Sequence, residues 1–152
     1  MHEEIPIVLI VDDDIPITEV LALVVRELGY QPLVAFNGQQ ALNIAREHWP
    51  ALVLTDLMMP VLDGEGVVRG LHKEASKRDT TPPYIVMLTA AKLWSEVSLP
   101  VDAFISKPFE VEQIEQLIRS FLPPADSPNR THFQSLFIVA MPAAIQGRQF
   151  WR

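Results

Sequence analysis

The 152-residue chain contains no cysteine. That excludes disulfide staples, thiolate metal ligands and thiol nucleophiles, and suits a reducing compartment. Basic residues are in short supply: 12 Lys and Arg stand against 19 Asp and Glu, for a net charge of −7. A surface that grips nucleic-acid phosphates needs clustered cations, so no direct nucleic-acid partner is expected. No apolar run is long enough to span a bilayer, so no membrane partner is expected either. Met1–Pro6 is acidic and runs straight into a strand-like stretch, unlike the basic, then apolar, start of a secretory signal. A cytoplasmic location is the expectation. No internal repeat is visible.

What is present is the composition of a globular domain, 49% hydrophobic and 20% charged, in a length that fits one domain with a proper core. Strand-like and helix-like segments alternate from residue 5 to residue 122, the pattern of an α/β parallel sheet covered by helices. Ile5–Val11, Gln31–Phe36, Ala51–Thr55, Tyr84–Thr89 and Val101–Ser106 read as strands, the first apolar nearly throughout, as when both faces are buried. Asp14 reads as a helix N-cap with Pro16 tolerated in the first turn. Val20, Leu21, Val24 and Leu28 follow at helical spacing, and Gly29 stops the run. Further helices are predicted at Gln39–Trp49, about Glu65–Ala75, Ala91–Ser98 and Val111–Phe121, with Lys73–Pro83 as a polar connection.

After Leu122 the composition shifts. Pro123–Asn129 reads as a linker, and Arg130–Arg152 carries an apolar stretch from Leu136 to Ile145 interrupted by Pro142. The expected division is a domain at residues 1–122 and a linker with a short tail at 123–152, too short for an output domain. Left bare, Phe133, Leu136, Phe137, Ile138 and Val139 would be an aggregation hazard, so packing on the domain or docking to a partner is expected of them.

The chemistry sits at strand ends: Asp12-Asp13, Asp56, Thr89 and Lys107 each follow an apolar run. Parallel strands bring such residues to one edge of the sheet, where open α/β sheets bind ligands. Taken singly these are weak signals, since a strand-end Thr and a lone Lys are common on surfaces. Their convergence gives them weight. Neighbouring carboxylates repel unless a cation intervenes, and a hard dication with oxygen ligands, Mg²⁺ beside phosphate, resolves the conflict. Asp13 and Asp56 would then be direct ligands, Asp12 would lie close by and act through water, and the Met58 carbonyl would complete the protein share. Thr89 offers a hydroxyl donor, Ala90 lets phosphate oxygens approach a backbone N–H, and Lys107 neutralises charge. Asp56 would attack phosphorus and form an acyl phosphate.

In order along the chain, Val8-Leu9-Ile10-Val11-Asp12-Asp13-Asp14, Thr55-Asp56-Leu57-Met58-Met59-Pro60 with Asp63-Gly64, Met87-Leu88-Thr89-Ala90 and Phe104-Ile105-Ser106-Lys107-Pro108-Phe109 resemble the response-regulator receiver domain of two-component signalling. The match covers about residues 5 to 122. The resemblance implies a doubly wound, flavodoxin-like three-layer α/β/α fold with five parallel strands in the order 2-1-3-4-5. It also implies phosphorylation of Asp56 by a sensor histidine kinase or phosphotransfer protein, Mg²⁺ dependence and a cis Lys107–Pro108 bond. Phe104 matches the family's switch aromatic, which rotates into space left when Thr89 moves to the phosphoryl group; a downstream protein would read the altered surface. A second copy of the chain is a further candidate partner. On this reading the chain is a stand-alone phosphoacceptor rather than an enzyme.

The chain departs from the family in places. The stretch between Thr89 and Lys107 is about one helical turn short, Leu99-Pro100-Val101 replaces a glycine-containing approach to the fifth strand, and Trp94 in that stretch is expected to cover the core. Met58 and Ala91 occupy positions that tune phosphoryl lifetime; neither aligns a water, so slow self-dephosphorylation is expected. His2, His48, His72 and His132 share no ligand spacing. Two other readings stand beside the first. A phosphatase resembling the haloacid dehalogenase family would use Asp12 as nucleophile and Asp14 as the second acid, but leaves the Asp56 motif unexplained. A degenerate receiver would act only as a scaffold.

Overall fold

The computed structural model describes residues 4–90 and 98–124. Along them run β1 (Ile7–Val11), α1 (Ile15–Glu27), β2 (Gln31–Ala35), α2 (Gly38–Glu47), β3 (Leu52–Asp56), α3 (Gly64–Lys77), β4 (Tyr84–Ala90), β5 (Ala103–Lys107) and α4 (Val111–Phe121). The five strands are parallel and ordered β2-β1-β3-β4-β5, the doubly wound topology that the resemblance implies. The helix expected at Ala91–Ser98 falls, Ser98 excepted, outside the described residues, as do Trp94, the expected linker beyond Pro124 and the tail. No helix among the described residues is long and apolar enough to cross a membrane.

Strand side chains alternate between faces, and the sheet separates two apolar cores accordingly. Val8, Ile10, Leu52, Leu54, Val86, Leu88, Ala103 and Ile105 pack with α1 and α4. Their odd-even partners Leu9, Val11, Val53, Ile85, Met87 and Phe104 pack with α2 and α3. Both faces of every central strand are therefore buried, which explains why these runs read as continuously apolar. Truncating a fully buried side chain here, Leu54→Ala for instance, costs about 2–5 kcal/mol.

Three strand-to-helix turns at the carboxyl edge are each held by a short side chain. Asp14 accepts from the Ile17 N–H at 3.3 Å, Asn37 from Gln40 at 2.9 Å and Asp63 from Gly66 at 2.9 Å, each meeting an otherwise unpaired helix donor. In α4 the Gln113 side chain accepts from the Glu110 N–H at 2.8 Å. Gly29, at φ 91°, ends α1 in the left-handed region that favours glycine.

Several boundaries differ from expectation: β1 starts at Ile7 rather than Ile5 and α2 ends at Glu47 rather than Trp49, and two others show their cause. Lys73–Lys77, expected as connection, is the last part of α3; Glu74 pairs with Arg78 one turn on at 3.2 Å and with Arg46 of α2 at 3.5 Å, so charge rather than apolar spacing carries the helix onward. β5 starts at Ala103 instead of Val101. The Asp102 carboxylate accepts from the Ile85 N–H at 2.8 Å, so a side chain occupies the position where regular pairing would begin.

Candidate functional site

The register brings the expected residues to one edge. Val11 pairs with Thr55, Asp56 with Leu88, and Ala90 with Lys107, so Asp12 and Asp13, Asp56, Thr89 with Ala90, and Lys107 all stand at neighbouring strand tips. One carboxylate oxygen from each of Asp12, Asp13 and Asp56 lies within 4.8 Å of the other two. Lys107 reaches across them: its Nζ donates to Asp12 Oδ2 at 2.7 Å and lies 3.5 Å from Asp56 Oδ2. The backbone N–H of Asp14 donates to Asp12 Oδ1 at 2.9 Å. Asp12, fully buried, is thus held through both oxygens, whereas Asp13 is exposed.

The electrostatics are unbalanced, with three acids around one ammonium. Burial, followed by the Asp12 charge, holds the Asp56 carboxyl above its ordinary value; Lys107 and a hydrogen bond to the Leu57 backbone only partly offset this. Burial alone would lower the Lys107 ammonium. Its hydrogen bond to Asp12, with the charges of Asp12 and Asp56, outweighs burial and raises it. The protein leaves the Asp56 charge only partly satisfied, and the donor set beside it is all oxygen. Those properties fit a small, hard dication such as Mg²⁺.

The Asp56 backbone is locked from two sides. Thr55 Oγ1 donates to the Asp56 carbonyl at 2.9 Å, and the Gly64 N–H donates to the Leu57 carbonyl at 2.8 Å. A Cβ on Gly64 would stand 2.3 Å from the Asp56 carbonyl oxygen and 2.8 Å from Leu57 Cα, so only glycine lets α3 start against this strand tip. Between them runs a loop in which Val61 has φ 70°, with the Leu62 N–H donating to the Pro60 carbonyl at 2.8 Å. A β-branched residue in that region is strained by about 1–3 kcal/mol. The Gly38 N–H donates to the Leu62 carbonyl at 3.0 Å and fastens the loop to the start of α2. The sequence carries no signal for the turn at Val61, since valine is among the residues least suited to it.

Met58 lies in the same loop, two residues past Asp56, its side chain 66% exposed. Thr89 is buried and Ala90 exposed. Phe104 is buried on the α2–α3 side. Met87 pairs with Phe104 and Thr89 with Ser106, which makes Thr89 and Phe104 diagonal neighbours on one face of the sheet. The Lys107–Pro108 bond is cis.

Comparison with known proteins agrees with this geometry. The response regulator receiver domain pattern matches residues 8–119. The probable transcriptional regulator ycf27 of Porphyra purpurea is 35% identical over 122 residues, covering 78% of this chain and 48% of that protein. The DNA-binding response regulator MtrA of Mycolicibacterium paratuberculosis is 39% identical over 119 residues, covering 76% of this chain and 50% of that one. The solved structure of Vibrio cholerae chemotaxis protein CheY4 superposes with a TM-score of 0.68 at 25% identity, over 78% of this chain and 100% of that chain. The chain spans about half the length of the curated relatives it matches.

Proposed function

The chain belongs to the response regulator receiver domain family, and from that premise we propose that Asp56 accepts a phosphoryl group from a sensor histidine kinase or phosphotransfer protein. The observation that carries the proposal is the Lys107 ammonium lying between Asp12 and Asp56, with Asp13 on the same edge. An Asp56 carboxylate oxygen attacks phosphorus, the P–N bond of the donor's phosphohistidine breaks, and its electron pair returns to the imidazole. Lys107 and the Thr89 hydroxyl contact the transferred phosphoryl oxygens, and Ala90 leaves them room at the backbone. Asp13, Asp56 and the Met58 carbonyl would hold Mg²⁺ directly, with Asp12 close by through water, and the ion would supply charge neutralisation at those oxygens.

Readout follows the family's pairing of Thr89 with Phe104, a role that their shared face supports, and presents an altered surface to a downstream protein. The protein is a phosphoacceptor that carries out its own phosphoryl transfer rather than an enzyme with a separate substrate. Residues 1–122 form the receiver domain and 123–152 a linker and tail; a reducing cytoplasm, which a cysteine-free chain suits, is the proposed compartment. The DNA binding in the name of MtrA is that protein's, and the net charge of −7 here favours a protein target.

A phosphatase using Asp12 is disfavoured by Asp12 itself, whose oxygens are both occupied by donors. Incubation with acetyl phosphate and Mg²⁺, followed by mapping of the modified residue, tests the proposal. Acyl phosphate on Asp56 supports it; turnover through Asp12, or no modification (the outcome for a scaffold), overturns it.

A further inference from the structure

A groove of about 480 Å³ opens between the start of α1 and the turn from β5 to α4, lined by Pro16, Ile17, Val20, Lys107, Pro108 and Phe109. Its apolar surface continues along α1. Pro16, Val20 and Leu23 fall at i, i+4 and i+7, the spacing of one helix face, and Leu23 is 54% and Val20 45% exposed. Ile15 beside them is exposed as well. Large apolar side chains gathered at one place on a surface mark a contact region.

The chain carries a segment suited to cover it. Phe133, Leu136, Phe137, Ile138 and Val139 are concentrated in seven residues of the tail. α4 begins two residues after Phe109, at the groove, and its 11 residues run away from it for about 16 Å. Eight residues separate Pro124 from Phe133, and the connection spans up to about 30 Å when extended, so the apolar segment can return the length of α4. Charge agrees: residues 125–152 hold three arginines against one aspartate, a net +2 that leaves −9 on the remainder of a chain totalling −7. Asp14, Glu19, Glu110 and Glu112, all exposed, flank the groove.

We infer that residues 133–139 dock intramolecularly in the groove formed by α1 and the β5–α4 turn. This docking is independent of whether Asp56 is phosphorylated.

The native absence of cysteine makes the test direct, because a single introduced thiol reports alone. Val20→Cys is placed in the full-length chain, once with the native tail and once with Leu136→Asp and Phe137→Asp, and its reaction with a chromogenic aromatic disulfide is timed. Leu23→Cys repeats the measurement in case the first substitution disturbs folding. Slower labelling with the native tail, by about tenfold if the groove is covered roughly 90% of the time, and unchanged on dilution, is the expected result. Indistinguishable rates with the two tails at both positions overturn the inference. Protection that fades on dilution also overturns it, assigning the groove to a second copy.

Discussion

Asp56→Asn removes one of three clustered carboxylates without changing its shape, and the geometry says what should follow in metal-free protein. At an effective dielectric constant of about 20, unit charges at the 4.8 Å limit between these acids repel by about 3.5 kcal/mol. Lys107, 3.5 Å away, attracts by about 4.7 kcal/mol. The Asp12 repulsion and the Lys107 attraction largely offset each other, and exposed Asp13 is screened by solvent. Burial of Asp56, the largest cause, decides the sign and disfavours the charged form. The variant should therefore be more stable than the parent by about 1 kcal/mol in EDTA at neutral pH, measured by urea unfolding. Saturating Mg²⁺ should reverse the order, because a ligand that binds the native state at about 100 times its Kd adds roughly 2.7 kcal/mol, and the variant has lost a ligand. A variant less stable than the parent in EDTA would refute the account of Asp56 as the unsatisfied charge.

Four further outcomes follow from the same edge. Lys107→Ala leaves buried Asp12 without its cation and should destabilise metal-free protein by about 2–3 kcal/mol while abolishing acyl phosphate formation; retained labelling by acetyl phosphate would remove Lys107 from the site. Gly64→Ala drives a Cβ to within 2.3 Å of the Asp56 carbonyl oxygen and should cost about 1–3 kcal/mol by thermal unfolding, whereas an unchanged melting temperature would show that α3 shifts freely. Metal-free stability should fall as pH rises from 3.8 through the raised folded value of Asp56, since the native state holds that proton more tightly; the stabilisation from Lys107 should persist below 10.5 and vanish as pH passes its raised folded value. Asp56→Asn should abolish the acid-side slope and weaken the alkaline one, since the Asp56 charge helps to raise Lys107, as unfolding at stepped pH would reveal. Met58→Asn places a hydrogen-bonding group two residues from Asp56 and should shorten the acyl phosphate lifetime by about tenfold or more; equal decay rates would dismiss the expectation of slow self-dephosphorylation.

The sheet was legible because its strands are buried on both faces and its turns carry Asp14, Asn37 and Asp63, residues that cap helices by a local mechanism. The order of the strands was reached through the resemblance, since apolar runs alone do not state which neighbours pair. The clustering of Asp12, Asp13, Asp56, Thr89 and Lys107 was also legible, as strand ends in a parallel sheet share an edge. What escaped depended on distances across the chain. Nothing local says that Lys107 lies closer to Asp12 than to Asp56, or that Asp102 closes onto Ile85. The turn at Val61 runs against residue preference and is held by its neighbours, Pro60 and Leu62, and by Gly38. The end of α3 was misplaced because Glu74, Arg46 and Arg78 hold it through charge, which apolar spacing does not register.

The side of the sheet on which Thr89 and Phe104 sit has a further consequence. Both belong to the half of the molecule shared with α2 and α3, while Leu88 and Ile105 between them belong to the other half. Under the readout proposed above, an adjustment at that pair would act within one layer, with the strand backbones as a partition. The α1–α4 exterior could then diversify to choose acquaintances without retuning the pair, so that specificity and signal would be inherited as separable traits.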